Sequence, residues 1–415
     1  PNPKPQTPNP ISFWRSSSER AIIMTTIKTY LRIRPGAGEE QFPYSVRQKG
    51  GRKCFVLHGR KGPSKHVFED VFDQQTDQRR LYEHFGQHML EAASSGMNYL
   101  LMSYGQTSSG KSFTINGEPE NPGLIPRFLA DLFARRVAAG EEGQVQIQYS
   151  LFEIYKEKIY DCLESDSRAL VLREQPGREV FIEGLITKRG GALSEILADL
   201  STALARRKAG ETLLNGRSSR SHFVVALDVS LTTRLGGDET QFSITKRSRV
   251  TFVDLAGSEK QKHNFRNTFE EGCSINKSLS VLAHIVCSLA KRAPSFLHFR
   301  DSKLTHFLKD CFSGDAHISI IANVLVRKEF LAETFSTLAF IAAARRVQID
   351  PHFNVESEPS EKVDVLEGCR LVRREIAALH ALMRDDALLA QLKGLYEHHL
   401  AASPPAGLTP EYVKA

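Results

Sequence analysis

The sequence lacks the features that would assign it to several special classes of protein. No window of its 415 residues approaches the ~20 uninterrupted apolar residues that a transmembrane helix needs, so no membrane span is predicted. The first twenty residues lack the apolar segment of a secretory signal. None of the six cysteines has CxxC spacing, which argues against a zinc site and a dense disulfide framework. We therefore expect a reducing intracellular compartment.

The overall composition is that of a folded protein with a slightly basic charge. Hydrophobic residues make up 41% of the chain and charged residues 25%, which excludes wholesale disorder. A chain of this length can bury one large core, so one large domain with an appendage is predicted. The formal net charge of +7 permits an acidic partner without identifying it.

Shifts in composition divide the chain into five segments. Residues 1–20 are rich in Pro and then Ser and are predicted to form a flexible arm, followed by a globular domain over 21–348. Residues 349–362 are predicted as a linker, 363–402 as a helix resembling a neck or stalk, and 403–415 as a flexible tail. Apolar residues at heptad spacing over 365–383 are compatible with a dimer, or with a helix packed against its own domain.

Strand patterns alternate with helix patterns through the globular segment. This alternation indicates an α/β sheet covered by helices on both faces. The apolar run YLLMSY at 99–104 is predicted to be a buried central strand. Other predicted strands lie at 22–33, 145–154, 223–232, 248–254 and 318–326, and predicted helices at 79–93, 126–138, 194–208, 275–291 and 333–347.

A phosphate-binding motif directly follows the predicted central strand. Residues 105–112 read GQTSSGKS and match G-x-x-x-x-G-K-[ST] between a strand and a helix. Glycines let the backbone N–H groups turn towards phosphates, and the helix N-terminus adds partial positive charge. Lys111 is predicted to reach the β- and γ-phosphates, and the Ser112 hydroxyl to bind Mg²⁺. The motif predicts a nucleoside triphosphate site.

Two later segments are candidates for sensing the γ-phosphate. Residues 215–222 read NGRSSRSH, a run whose hydroxyls can bind Mg²⁺ and contact the phosphate. Asp254 ends the strand VTFVD, where a second carboxylate on the Mg²⁺ side is needed. Gly257 has no side chain, so its N–H can approach the phosphate and register its loss. Taken singly, these segments could be a phosphorylated basic loop and an ordinary turn.

Together and in this order, the three segments resemble the kinesin motor family, whose pattern is GQTxSGK[TS], NxxSSRSH and DLAGSE. The resemblance extends over about residues 25–348 through RIRP at 32–35, FEDVF at 68–72, INKSL at 275–279, FRDSKLT at 299–305, IAN at 321–323 and ETFSTL at 333–338. It implies a P-loop NTPase fold of the kinesin motor type, with a central, mostly parallel mixed sheet and helices on both faces. It also implies an ATP hydrolase that microtubules stimulate and that couples hydrolysis to force or movement.

The resemblance also implies roles for residues at matched positions. Adenine would contact Arg32, Pro35, Tyr82 and Phe113. The phosphates of ATP or ADP would contact Gly105, Gln106, Thr107, Ser108, Ser109, Gly110, Lys111, Ser112, Asn215, Ser218 and Ser219. Mg²⁺ would be held by Ser112, Ser219 and, through water, Asp254.

The catalytic residues implied by the resemblance are Glu259, Arg220, Ser219, Gly257 and Lys111. Arg220 and Glu259 would form the salt bridge that closes the pocket and positions the attacking water. This arrangement suits phosphoryl transfer, which needs placement and charge neutralisation more than covalent chemistry. The alternative for that pair is an ordinary surface ion pair.

Basic residues flank the helix predicted from Ile275. A charge run is usually a solvated face, but the resemblance makes this region the microtubule-binding face, and the surface of tubulin is acidic. No aromatic–basic interleaving of an RNA platform is present, so nucleic acid is not the expected partner. The residues expected to contact tubulin are Lys260, Lys262, Asn276, Lys277, Lys291, Arg292, Arg300 and Lys303. The expected location is the cytoplasm, on the cytoskeleton.

The sequence departs from the family pattern in two regions that keep alternatives open. Residues 260–274 are shorter than usual and carry bulky Phe265 and Phe269, and no obvious neck-linker pattern follows Val347. A microtubule-binding regulatory or structural protein with weak ATPase activity is the alternative function, whereas an end depolymerase would need an end-binding element that we do not identify. Short segments at 111–115, 123–126, 181–184 and 303–306 are similar to the kinesin-nine group, which adds the cilium or flagellum axoneme as a finer location.

Overall fold

The structure is a computed structural model that describes residues 25–35, 42–59, 62–138, 143–164, 168–174, 179–213, 220–235, 242–259, 266–291 and 297–359. These residues fall within one of the chain's two units, Met24–Lys362. The other unit comprises Pro1–Ile23 and Val363–Ala415. The predicted arm (1–20), C-terminal helix (363–402), dimer seam (365–383) and tail (403–415) therefore lie outside the described residues.

The strands are numbered in chain order. The N-terminal strands are β1 Thr25–Thr26, β2 Lys28–Ile33, β3 Tyr44–Lys49, β4 Arg52–Gly59, β5 Gly62–Phe68, β6 Asp70–Phe72, β7 Asn98–Tyr104, β8 Gly117–Glu118 and β9 Asn121–Pro122. The later strands are β10 Gly143–Tyr155, β11 Lys158–Asp161, β12 Ala169–Arg173, β13 Phe181–Glu183, β14 Lys188–Arg189, β15 His222–Leu235, β16 Phe242–Asp254, β17 Ala316–Val324, β18 Gln348–Ile349 and β19 Val355–Pro359.

The helices have identifiable end signals. They are α1 Gln78–Ser95, α2 Lys111–Ile115, α3 Leu124–Ala138, α4 Leu193–Leu213, α5 Arg266–Ala290, α6 Lys303–Phe307 and α7 Leu331–Ala344, with short 3₁₀ turns at Phe299–Asp301 and Lys328–Phe330 and a π turn at Cys311–Asp315. The Asp77 carboxylate accepts from the Arg80 N–H and caps the start of α1, and Gly96 ends it in the left-handed conformation at φ +85°. The Ser302 hydroxyl caps α6 in the same way.

The main sheet is mixed, as predicted, but among the described strands antiparallel pairings outnumber parallel ones, because long hairpins extend one side of the parallel part. Its strands lie in the order β13-β12-β11-β10-β15-β16-β7-β17-β2-β6, with β14 beside β10 and β19 beside β16. The strands from β16 to β6 run parallel, and pairing from β13 to β16 is antiparallel. Strands β3, β4 and β5 form a separate antiparallel sheet. The parallel part places the carboxyl ends of its strands at one edge, where the phosphate-binding motif begins.

The central strands are buried on both faces because helices cover both. Successive strand residues point to opposite faces. Met102 and Val253 belong to a core cluster that contains Leu282 of α5 and Ile341 of α7. On the other face, the Phe252 ring packs against Phe128 of α3 with 5.6 Å between ring centroids. The apolar runs of β7 and β16 therefore mark a sheet between two helical layers.

The described part of the segment after α7, which ends at Pro359, pairs with strands of two sheets, whereas a linker is predicted over 349–362. Gln348–Ile349 pair with Thr25–Thr26, and Val355–Pro359 pair antiparallel with Phe242–Lys246 of β16. Between them, the Asn354 N–H donates to the Gly96 carbonyl at 2.8 Å and the Arg247 N–H donates to the Asn354 carbonyl at 2.9 Å. The prediction missed this docking because main-chain hydrogen bonds make it, and the side chains carry no strong strand pattern.

We predict that Asn354→Pro releases β19 while Asn354→Ala does not. Proline removes the N–H that donates to Gly96, whereas alanine keeps every main-chain hydrogen bond. Amide hydrogen exchange of residues 242–246 should accelerate about tenfold in the proline variant, the effect of losing ~1.4 kcal/mol of local protection. Equal exchange in the two variants would contradict the docking role of this bond.

Candidate active site

The loop of residues 105–110 connects β7 to α2 and requires glycine at both ends. Gly105 has φ +150° and Gly110 has φ +97°. A Cβ on Gly105 would lie 2.1 Å from the Asn323 carbonyl oxygen, so no other residue fits there. The loop leads into α2 at Lys111, and backbone N–H groups at a helix N-terminus favour bound anions. The predicted phosphate-binding loop has the expected place in the fold.

Lys111 is buried beneath this loop. Its ammonium donates to the Gln106 carbonyl at 2.8 Å. Burial lowers the pKa of Lys111, and the nearby carboxylates of Asp254 and Glu259 oppose that shift. The ammonium is therefore bonded to the phosphate loop and is influenced by the two carboxylates predicted for the metal and catalytic groups.

Asp254 brings the metal-site candidates together. It ends β16 opposite Ser103 of β7, and its carboxylate accepts from the Ser112 hydroxyl at 2.6 Å and from the Ser103 hydroxyl at 3.3 Å. Mg²⁺ prefers oxygen ligands and is usually held by one or two carboxylates together with phosphates, so Ser112 and Asp254 fit it. Within the described ranges, no cluster of three or more His, Cys, Asp or Glu side chains could hold a metal ion. Ser219, Ser218 and Asn215 lie outside those ranges.

Glu259 is bound by the phosphate loop. Its carboxylate accepts from the Thr107 N–H at 2.7 Å and from the Thr107 hydroxyl at 2.5 Å. The described contacts of Glu259 are thus with Thr107, and the pair with Arg220 stays a prediction. A Cβ on Gly257 would lie 2.3 Å from the Thr107 hydroxyl, so only glycine allows this approach. Thr107, Gly257 and Glu259 join the two loops directly.

Of the predicted adenine-side residues, Arg32 and Phe113 are in contact. The Arg32 guanidinium donates to Gln78 Oε1 at 2.7 Å and to Thr114 Oγ1 at 2.9 Å, and it lies 5.3 Å from the centre of the Phe113 ring. Burial lowers the pKa of Arg32 to about 10. Tyr82 lies one turn after Gln78 on α1, and its hydroxyl donates to Asp131 of α3 at 2.7 Å. Pro35 is exposed after β2.

A buried arginine that the sequence analysis missed supports the metal-side carboxylate. Arg207 of α4 lies 3.3 Å from Glu153 and 3.5 Å from Asp254, and all three side chains are at most 6% exposed. It also donates to the Ser221 carbonyl and hydroxyl at 3.2 Å. The available signal was its position on the apolar stripe of α4, because Ile196, Leu200, Ala203 and Arg207 recur at helical spacing and are all buried.

Comparison with known proteins identifies the family. The pattern that defines the kinesin motor domain matches residues 36–347. The chain belongs to the kinesin family. It is 34% identical to Kinesin-like protein KIF22 of Rattus norvegicus over 355 residues, or 84% of this chain and 53% of that protein. It is 34% identical to KIF14 of Mus musculus over 330 residues, or 74% of this chain and 20% of that protein.

Solved kinesin structures share the fold. A KIF14 dimer in a two-heads-bound state with AMP-PNP, in complex with a microtubule, has a TM-score of 0.71 and 30% identity, covering 80% of this chain and 96% of that one. A fast kinesin has a TM-score of 0.71 and 27% identity, covering 80% and 94%.

Membership of the kinesin family confirms several sequence predictions for the domain. These are the P-loop NTPase fold and, as properties of kinesin motor domains in general, the ATP hydrolase class, ATP or ADP with Mg²⁺ as the bound group, and the microtubule as partner. The activity and partner of the whole protein are proposed below. Members act on the microtubule cytoskeleton. The chain spans 53% of rat KIF22 and 20% of mouse KIF14, so it corresponds to part of those proteins. In the described part of the chain, no helix is long and apolar enough to cross a membrane.

We predict that Arg207→Ala strongly destabilises the kinesin fold. The substitution leaves two buried carboxylates without their guanidinium, which costs about 3–5 kcal/mol of unfolding free energy for a broken buried pair. Arg206→Ala, the matched control on the same helix, removes an exposed side chain that donates to the Cys162 and Glu164 carbonyls, and should cost less than about 1 kcal/mol. Urea denaturation measures both values, and equal midpoints would contradict the role assigned to Arg207.

Proposed function

We propose that this protein is a motor that couples ATP hydrolysis to movement along microtubules. The observation that carries the proposal is the direct contact of Thr107 in the phosphate loop with Glu259. Glu259 belongs to the segment that connects β16 to α5. A change at the γ-phosphate can therefore reach the helix expected to face the track. Steady-state ATP turnover with and without microtubules tests this function: many-fold stimulation supports a motor, and a flat, low rate supports a binding protein.

In the proposed site, the phosphates bind to Gly105–Ser112 and Lys111 neutralises their charge. Ser112, Ser219 and, through water, Asp254 would hold Mg²⁺. Asn215 and Ser218 line the γ-phosphate. Adenine lies on the side of Arg32, Pro35, Phe113 and Tyr82. The metal supplies charge neutralisation at the phosphoryl group, and the side chains supply its placement.

Hydrolysis in this proposal requires Glu259 to change partner. The carboxylate is held by Thr107, and pairing with Arg220 would release it to position the attacking water. Gly257 can then bring its N–H to the γ-phosphate, because no side chain intervenes. The exchange links closure of the site to release of the phosphate loop from the loop that follows β16.

We predict that Glu259→Ala lowers ATP turnover about 100-fold while ATP still binds. Loss of the carboxylate misplaces the attacking water, and misplacement near 1 Å costs about that factor. Glu183→Ala, an exposed glutamate on β13, is the control and should keep wild-type turnover. Single-turnover hydrolysis together with binding of a fluorescent ATP analogue separates the two steps. An undiminished rate in Glu259→Ala would overturn the assignment.

The proposed track surface comprises the exposed face of α5, which excludes the buried Ser278, and the segment from Phe299 to Lys309. Lys277 and Lys291 are exposed at the two ends of the described α5 surface. Arg300 is exposed but donates to Glu174 at 2.9 Å, and the Lys303 N–H donates to Glu157 at 2.7 Å. Lys260, Lys262, Arg292 and the side chain of Asn276 lie outside the described residues and stay predicted contacts.

Glu174 organises the basic part of this surface. Its carboxylate accepts from Arg300 and Lys309 and lies 3.1 Å from His306. Hydrogen bonds from Lys309 and Arg300 lower the pKa of Glu174 to about 2, so it stays ionised at neutral pH. One anion thus fixes several basic side chains in one orientation and leaves a positive surplus for an acidic partner.

We predict that Lys277→Glu and Lys291→Glu each raise the microtubule concentration for half-maximal ATPase stimulation about tenfold. Charge reversal removes an attraction to acidic tubulin and adds a repulsion, together ~1.4 kcal/mol at a surface. Lys65→Glu on β5 makes the same reversal on the separate sheet and should have little effect. The difference should shrink as salt is raised, because exposed charges are screened. Equal effects at all three positions would count against the track surface.

Three finer assignments complete the proposal. Docking of Gln348–Pro359 on neighbouring strands would transmit a conformational change at the nucleotide site to the residues that follow Pro359. A dimer through residues 365–383 would join two such domains. The short matches to the kinesin-nine group support a cilium or flagellum axoneme as the location within the cytoskeleton, which imaging of the tagged protein in ciliated cells would test.

A further inference from the structure

A buried histidine connects the phosphate-sensing loop to the track helix. His222 begins β15 directly after the SSRS run and is 2% exposed. Its Nδ1 accepts from the Ala256 N–H at 3.0 Å, next to Gly257. Its Nε2 lies 2.8 Å from the hydroxyl of Ser278, which is also 2% exposed and belongs to α5. The ring, which belongs to the start of β15, thus contacts two further segments: the loop after β16 and α5.

The hydrogen bonds define the protonation state of this ring. Burial, with Arg207 and Lys111 nearby, lowers the pKa of His222 to about 3, so the imidazole is neutral at physiological pH. A neutral imidazole has one N–H, and Nδ1 already accepts a hydrogen bond. The proton is therefore on Nε2, which donates to the Ser278 hydroxyl. Both ring nitrogens are satisfied, and each is committed to one partner.

This arrangement limits how the loop and the helix can move relative to each other. A hydrogen bond of 2.8–3.0 Å is lost when its partners separate by less than 1 Å, and a buried polar group left without a partner is costly. A shift of Ala256 that accompanies a change at Gly257 must therefore move His222 or break a bond. The same constraint acts on α5 through Ser278.

We propose that His222 is a positioning residue that couples the nucleotide to the track by holding the Asp254–Glu259 loop and α5 in register through Ala256 and Ser278. The inference rests on the proposed function, because it takes α5 as the helix that faces the microtubule. Coupling between two binding sites is reciprocal, so a link that lets the nucleotide change microtubule affinity also lets the microtubule change nucleotide affinity.

The decisive variant is Ser278→Ala, because it removes only the hydroxyl that accepts from His222. Alanine is also compatible with the helical backbone of α5. Ser319→Ala is the matched control: Ser319 is equally buried and its hydroxyl lies 2.8 Å from the Tyr99 hydroxyl, in a pair between β17 and β7 that touches neither the sensing loop nor α5. Both variants lose a buried hydrogen bond of the same length, so both should show similar losses of thermal stability.

The measurement is the ratio of microtubule dissociation constants in ADP and in AMP-PNP, together with basal and microtubule-stimulated ATPase rates. Ser278→Ala should reduce this ratio and the stimulated rate by about 2- to 30-fold with basal turnover unchanged, whereas Ser319→Ala should leave all three at wild-type values. A wild-type ratio in Ser278→Ala would overturn the inference. Absence of stimulation in the wild-type protein would instead overturn the proposed function.

Two substitutions of the ring itself separate its two bonds. His222→Asn keeps an acceptor near Nδ1 but does not reach Ser278, so it should match Ser278→Ala, and combining the two should add no further loss of coupling. His222→Gln keeps a donor near Nε2 and should retain more of the ratio than His222→Asn. Additive effects of His222→Asn and Ser278→Ala would show that the two residues act separately and would overturn the link.

Discussion

The buried carboxylate of Asp254 is the constraint on which the site depends. It accepts hydrogen bonds from Ser103 on the neighbouring strand and from Ser112 on α2, and Arg207 of α4 lies 3.5 Å away. An ionised group buried this deeply is tolerated only when it is paired and hydrogen-bonded. The strand end, the helix after the phosphate loop and α4 are therefore held together by the electrostatic needs of one side chain. The same needs leave oxygen atoms grouped where Mg²⁺ is required.

Much of this fold and site is predictable from the sequence, because its parts are local. The phosphate loop, the buried strand before it and the end of β16 each carry a complete local pattern, and the structure has them where the patterns indicate. The contact of Glu259 with Thr107 was not predictable, because it depends on distances between loops that are far apart in sequence. Likewise α5 begins at Arg266, nine residues before the start predicted at Ile275. The prediction missed this first part of the helix because residues 266–274 carry no apolar stripe.

Charge along the chain is a poor guide to charge on a surface. The sequence between Arg300 and Lys309 is strongly basic, yet Glu174, from the far end of β12, binds Arg300, Lys309 and His306. The net positive charge there is smaller than the count of basic residues, while its orientation is better defined. A count of basic residues predicts that a surface attracts an acidic partner. The ion pairs in the structure show which of those side chains already bind an acidic residue of the same chain.

The docking of β19 has a consequence for how such segments diverge. Its hydrogen bonds to β16 and those of Asn354 to Gly96 and Arg247 come from the main chain, and Val355 is 45% exposed. Selection on this docking therefore acts on the backbone geometry and length of the segment. Gly96 is constrained at its side chain, because a Cβ there would lie 2.8 Å from the Asn354 carbonyl oxygen. Among related chains, the receiving glycine should persist even where the side chains of the docked segment change.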